Sequence, residues 1–218
     1  MAPSTFVSSY RSRRPLAIAT AVLLTAQSAL RILVELDATS AADSRLVAGA
    51  GLVTSLATPL AFLLWLAGVY RNLPALGSRT TLTAAWAVGR WFVPVVNLWH
   101  GYVALRTAWI ESHPEAEAAE AAEDRRTRLV AWWWALFLLS VARFAVGRIE
   151  LLALPRLSLE ILAAGLCALM VLEIDARQRE RHQELVAAAR VDARPAPQPT
   201  PWPSLPPSRS PSPSPPRR

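Results

Sequence analysis

Four apolar runs, at 15–36, 46–70, 129–147 and 155–174, constrain this chain more than anything else in it. A bilayer core about 30 Å thick is crossed by roughly 20 apolar residues in a helix, because lipid offers no partner to an open backbone N–H or C=O. The first run is interrupted only by Gln27, Arg31 and Glu35 near its end, and the second is uncharged. The third opens on Trp132, Trp133 and Trp134, where indole rings favour the headgroup boundary. The fourth starts at Pro155, a harmless first-turn position. With 53% hydrophobic and only 18% charged residues in 218, against about a quarter charged in soluble domains, the reading is an all-α integral membrane bundle of four transmembrane helices.

The basic surplus reports topology. All 23 basic residues are Arg, which together with the abundant Ala reads as bacterial genome composition. Three sit before the first run, seven lie in the loop 71–128 and eight follow from Arg177 onward, whereas Arg45 and Arg148 stand alone in the other two connections. Arg excess marks the cytoplasmic side. Both termini and the loop 71–128 are therefore expected in the cytoplasm, with the chain multi-pass in a bacterial plasma membrane. Ser12-Arg13-Arg14-Pro15-Leu16 also resembles a twin-arginine export signal. The long apolar run and the lack of a small-x-small cleavage site favour an uncleaved anchor. No soluble face combines Arg with interleaved aromatics, so nucleic acid is not an expected partner; lipid and its anionic headgroups are.

The chain then divides into a basic N-terminus (1–14), a membrane domain (15–174), a juxtamembrane basic helix (175–190) and a Pro/Ser/Arg-rich tail (191–218). The tail holds eleven of the eighteen prolines from Arg194 onward and cannot build a core, so it is expected to be disordered. Within the loop, Pro94 predicts a helix restart, after which Val95, Leu98, Tyr102, Leu105 and Trp109 fall on one stripe. That stripe predicts an amphipathic helix lying along the inner leaflet; a re-entrant path for 82–109 is the alternative. The Ala/Glu-rich stretch that follows predicts a solvated helix leading into the third span.

Two groups of residues are candidate sites. Arg31, Glu35, Arg143, Arg156 and Glu160 are charges in the outer half of the apolar runs, where burial is expensive and polarity points to function. They form either an intramembrane cluster for a small ion or solute, or helix-end residues that snorkel and pair locally. On the cytoplasmic side Asn72, Arg90, Asn97, His100 and Arg106 are candidates for gripping a phosphate or carboxylate such as a headgroup. Their structural alternatives are Asn97 as a cap near Pro94 and His100 facing water. His100, His113 and His182 are too scattered for a metal site, Cys167 is alone in an apolar run, and no catalytic or phosphate-cradling motif is present. No cofactor, metal or enzymatic activity is expected.

Phe62-Leu63-Leu64-Trp65, Tyr70-Arg71-Asn72, Leu76-Gly77 and the string from Trp86-Ala87-Val88-Gly89-Arg90 through Trp91-Phe92-Val93-Pro94-Val95-Val96-Asn97-Leu98-Trp99 resemble the bacterial membrane family catalogued as domain of unknown function 4328. Trp132-Trp133-Trp134-Ala135-Leu136 is similar to that family's tryptophan-rich span. The resemblance covers about 62–174 and departs at His100-Gly101, where a residue followed by Pro belongs. It implies a multi-pass protein and supplies no chemistry. Two functions stay open: a non-enzymatic scaffold or regulator that recruits a protein through the loop 71–128 or the tail, and a small-solute or ion carrier, as a homo-oligomer, using the outer-half Arg and Glu residues.

Overall fold

The computed structural model describes residues 9–36, 41–78, 80–113, 127–146 and 156–192, and all regular structure among them is helical. In chain order the helices are α1 (Arg14–Glu35), α2 (Ala41–Asn72), α3 (Ala84–Gly89), α4 (Pro94–Glu111), α5 (Thr127–Val146) and α6 (Arg156–Asp192). Three of them are long and apolar enough to cross a membrane: α1, α2 and α6. The apolar part of α5, Arg128–Ala142, is shorter. The expected tail beyond its first two residues, which end α6, most of the Ala/Glu stretch and the connection between α5 and α6 lie outside the described residues.

Within the bundle α1 packs against both α2 and α6, and α6 against α5. The only residues of α1 that are fully covered are small, Ala17 and Thr20. Small residues at the seam fit helices that adhere by close approach rather than by burying bulk. Large residues are distributed the other way: Leu52, Leu56, Leu60 and Leu64 of α2 and Leu162, Leu169 and Leu172 of α6 are exposed. Beyond Ile174, α6 continues without a break into the basic stretch, and its buried residues change from Met170, Val171 and Ile174 to Asp175, Gln178 and Arg181.

Between α2 and α5 the chain doubles back on itself. A 3-10 turn, Leu73–Leu76, ends at Gly77, whose φ of 78° only glycine adopts freely, and Ser78 N–H closes the turn on the Leu73 carbonyl. The chain then reverses along α2: α3 is capped by the Thr83 hydroxyl and packs on α2. A second 3-10 turn, Arg90–Phe92, leads to Pro94, which opens α4 at a position where its missing N–H costs nothing.

Contacts along α2 set the heights. Trp91 at the tip lies 5.4 Å, ring centre to ring centre, from Phe62, while the Tyr70 hydroxyl donates to the Ala104 carbonyl at 2.7 Å. Phe62 and Tyr70 are eight residues apart on α2, about 12 Å of rise. Thus α4 climbs obliquely from Glu111 to a tip that lies against α2 two turns before Tyr70, with Trp91 turned toward the bundle and Phe92 outward, and 80–111 is a helical hairpin. Trp134 of α5 secures it, donating its indole N–H to the Leu98 carbonyl at 3.1 Å and resting on Gly101. Trp91, Trp133, Trp134, Phe137 and Phe62 form a continuous aromatic cluster around the tip.

The face of α4 differs from the expected stripe. Its covered residues are His100, Gly101, Ala104, Leu105, Ala108 and Trp109. Val95 and Leu98, the first two residues of the stripe, are 80% and 57% exposed, while Leu105 and Trp109 are shared by both faces. Gly101, Ala104 and Ala108 face the protein and let α4 approach its neighbours closely, with His100, Leu105 and Trp109 covered beside them, while Val95 and Leu98 face outward.

The Gly101 contact is testable. A Cβ there would run into the Trp134 indole, which is tied down by its bond to Leu98 and stacked on Phe137. Gly101→Val should therefore lower the thermal midpoint of the detergent-solubilised protein, by about 1–3 kcal/mol of overpacking. The same change at Gly89, where added atoms meet open space, should cost less.

Candidate functional site

The two ends of the bundle carry its chemistry. At the end where α1 finishes, the expectation for Arg31, Glu35, Arg143, Arg156 and Glu160 is either one cluster or residues that snorkel and pair locally. Among the described side chains, Arg31 Nη1 reaches across to the Glu160 carboxylate at 2.7 Å, tying α1 to α6. Their side chains are 43% and 23% exposed, so the pair is reached from outside. It borders a cavity of about 340 Å³ whose polar lining is Gln27, Arg31, Glu35, Ser55 and Glu160, with Leu30, Val34, Val47 and Leu157 among the apolar walls. Three of the five expected charges thus share one site. The side chains of Arg143 and Arg156 lie outside the described residues.

The five cytoplasmic candidates do not form one site, because the hairpin lifts three of them away from Asn72. Arg90 sits at the tip, donating to His100 Nδ1 at 3.0 Å and lying over the Trp86 ring. Nδ1 must then be the acceptor, which places the His100 proton on Nε2. Nε2 is buried without a partner in the structure, and so is the Asn97 amide oxygen. His100 is therefore covered rather than water-facing, and Asn97 is not a cap: its N–H bonds the Val93 carbonyl as an ordinary first-turn residue. Among the described residues Arg106, half-buried further along α4, joins neither group.

Asn72 belongs to a polar network at the base of the bundle. Its side chain pairs with the backbone of Arg11 in both directions, accepting from N–H at 3.1 Å and donating to the carbonyl at 2.8 Å. The N-terminal arm is thereby held like a strand against the end of α2. Tyr10 stacks on His182 of α6 at 4.2 Å, and Arg13 lies on Gly68, where any side chain would displace it. Burial first, and Asp175 second, push the Tyr10 hydroxyl up to about 12, so it stays neutral, with no hydrogen-bond partner in the structure. Gln178, covered at the centre, reaches Asn72, Ser112 and the Val69 carbonyl at 3.3–3.4 Å. Arg181 donates to the Glu111 carbonyl at 2.7 Å and to the His113 carbonyl, and Ser78 donates to the Glu111 carboxylate at 2.6 Å.

Gln178, Ser112 and Tyr10 were not singled out in the sequence, while Arg11 reads there only as part of the basic N-terminus and Arg181 only as part of a basic extension resting on anionic lipid, whereas it is buried. One signal was there: Val171, Ile174, Gln178 and Arg181 follow the helical period, so the covered face of α6 runs on into polar residues. Among the described residues, no three His, Cys, Asp or Glu side chains meet in a way that would hold a metal ion.

The base network separates two substitutions. Asn72→Leu removes both bonds to Arg11 and leaves its backbone groups open, so the arm should become sensitive to limited proteolysis near Arg11, with a stability loss of about 1–3 kcal/mol. Tyr10→Phe deletes an unpartnered hydroxyl and keeps the stack on His182, so proteolysis and thermal midpoint should stay at the wild-type values.

Comparison with known proteins gives one match. The profile of the family described as Domain of unknown function (DUF4328) covers residues 31–176. No curated protein and no solved structure matches the chain.

Proposed function

The chain belongs to the DUF4328 family, and from that premise we propose that it is a non-enzymatic scaffold or regulatory component of the bacterial plasma membrane. In this reading α1, α2, α5 and α6 are four spans and both termini are cytoplasmic. The base network lies at the inner surface, and the Arg31–Glu160 cavity opens at the outer one. The hairpin 80–111 is re-entrant: it leaves the inner surface, dips among the spans and returns. Non-helical backbone at that depth survives only where protein covers it, and the aromatic cluster around Trp91 supplies that cover.

One observation supports recruitment above transport. The outward side of the hairpin is an unpartnered apolar ridge: Phe92 and Trp99 are 72% and 70% exposed, and Trp86, Val95 and Leu98 extend it. A ridge this aromatic, beside spans whose exposed large hydrophobics are Leu and Val apart from Ile18 and Trp132, offers shape and edge-to-face ring contacts to the helix of a membrane partner. The carrier reading has the Arg31–Glu160 pair in its favour. Against it, the bundle interior beyond the cavity is filled by Phe62, Trp65, Leu66, Val69, Met170 and Val171, so a solute has no polar route onward.

Photocrosslinkers in the living cell decide between these. A photoreactive residue at Trp99 should give discrete adducts with defined membrane proteins, and one at Leu64 of α2 should give lipid only. Lipid alone at both positions overturns the scaffold. Cysteines placed in 114–126 should react with impermeant thiol reagents only after the membrane is opened, and labelling from outside intact cells overturns the topology.

A further inference from the structure

The cavity between α1, α2 and α6 has a chemistry that the scaffold reading does not use. From its lining we infer that it binds a small zwitterion: a group bearing a primary ammonium and an acidic oxyanion a few bonds apart. The inference is independent of what the hairpin ridge recruits.

The charges divide the cavity into two contacts. Arg31 uses one guanidinium nitrogen on Glu160 at 2.7 Å. A guanidinium carries five N–H donors in a fixed fork, so its remaining edge, on a side chain 43% exposed, is free to take an oxyanion in a two-pronged contact. One turn further on, Glu35 lines the same cavity, is exposed, and has no ion pair or hydrogen bond among the described residues. It is an acceptor with no donor. Residues four apart on a helix stand about 5–6 Å from each other at Cβ, the spacing at which one molecule can place an oxyanion on Arg31 and an ammonium on Glu35. Neither charge alone selects a zwitterion, but the pair rejects a simple anion by the repulsion of Glu35 and a simple cation by that of Arg31.

The rest of the lining sets size and polarity. About 340 Å³ lies at the small end of the ~300–1,000 Å³ of small-molecule sites, too much for a single ion and enough for an amino acid or a phosphoethanolamine group. Gln27 and the Ser55 hydroxyl add neutral hydrogen-bonding groups, and Leu30, Val34, Val47 and Leu157 wall the cavity with carbon. Those apolar walls favour a ligand with a hydrocarbon portion between or beside its charges. Two sources share this chemistry: the ethanolamine headgroup of a membrane lipid, and a free amino acid outside the cell.

The experiment separates the sources. The full chain is placed in nanodiscs of phosphatidylcholine with or without phosphatidylethanolamine, and the lipid retained after gentle release is counted by native mass spectrometry. In parallel, free glutamine and free phosphoethanolamine are titrated calorimetrically into the chain in phosphatidylcholine discs. Selective retention of phosphatidylethanolamine assigns a headgroup; saturable binding of free glutamine assigns a soluble ligand; both support the inference. Binding should fall at least tenfold in Glu35→Gln and Arg31→Met, and remain unchanged in Leu52→Ala, which lies on α2 away from the lining. Glu35→Gln is the decisive variant, since an exposed side chain with no partner takes no part in holding the fold. Absence of binding by every probe overturns the inference, as does binding that survives Glu35→Gln and Arg31→Met.

Discussion

Helices in a hydrocarbon solvent gain nothing from hiding their apolar surface from one another, so whatever holds them together must come from close approach and from internal hydrogen bonds. That constraint organises this chain. Small residues, Ala17, Thr20, Gly68, Gly101, Ala104 and Ala108, sit at its close approaches, and its large aliphatic side chains divide between a covered set, such as Leu66, Val69, Leu105 and Ile174, and an exposed set, such as Leu52, Leu56, Leu60 and Leu162. The bonds that cross between elements come from the few polar groups inside: Tyr70 to Ala104, Trp134 to Leu98, Gln178 to Val69 and Ser112. Each ends on a backbone carbonyl or a buried hydroxyl, groups that have no water to turn to when the elements separate.

The same constraint explains which parts of the fold were legible. Three of the four expected span lengths follow from bilayer thickness, the third run giving a shorter apolar helix, and the helix restart follows from Pro94, so these could be read directly. The face of α4 could not. In a water-soluble protein a stripe of large apolar residues marks the inward side of a helix; here Val95, Leu98, Tyr102, Leu105 and Trp109 read as a stripe laid on the inner leaflet, and of these Leu105 and Trp109 are covered by the protein while Val95 and Leu98 are exposed. Where lipid is the solvent the rule inverts, and the inward side is marked by Gly101, Ala104 and Ala108. His100 rides on that small-residue face and is buried for that reason, with Arg90 brought over it by the turn at the hairpin tip.

Sites made from distant segments were the least legible. Arg31 and Glu160 each have a charged neighbour four residues away, and local pairing is the natural reading of such spacing. Their actual partnership depends on α1 and α6 lying side by side, which no local pattern encodes. At the other end, Asn72 was noticed but its partner was not, since the Arg11 groups it binds are backbone N–H and carbonyl and leave no trace in residue type. Gln178 fell within a basic run that reads as a solvated extension, although its period continues the covered face of α6.

Seen together, these contacts clasp the α1 segment at both ends. Near its last turn it meets Glu160 through Arg31; before its first turn the arm is fastened by Asn72 of α2 and by His182 of α6. Glu160 and His182 stand 22 residues apart on a single unbroken helix, about 33 Å, so α6 is the rigid bar on which both clasps are mounted. The clasps differ in kind. The base holds by backbone pairing, ring stacking and buried amides, which leave little for an outside molecule to compete for. At the mouth the Arg31–Glu160 ion pair is exposed, its arginine keeps donors not used on Glu160, and Glu35 beside it has no partner among the described residues. An oxyanion entering the cavity therefore meets the unused edge of Arg31 beside its contact with Glu160, whereas the base presents no comparable open donor among the described residues.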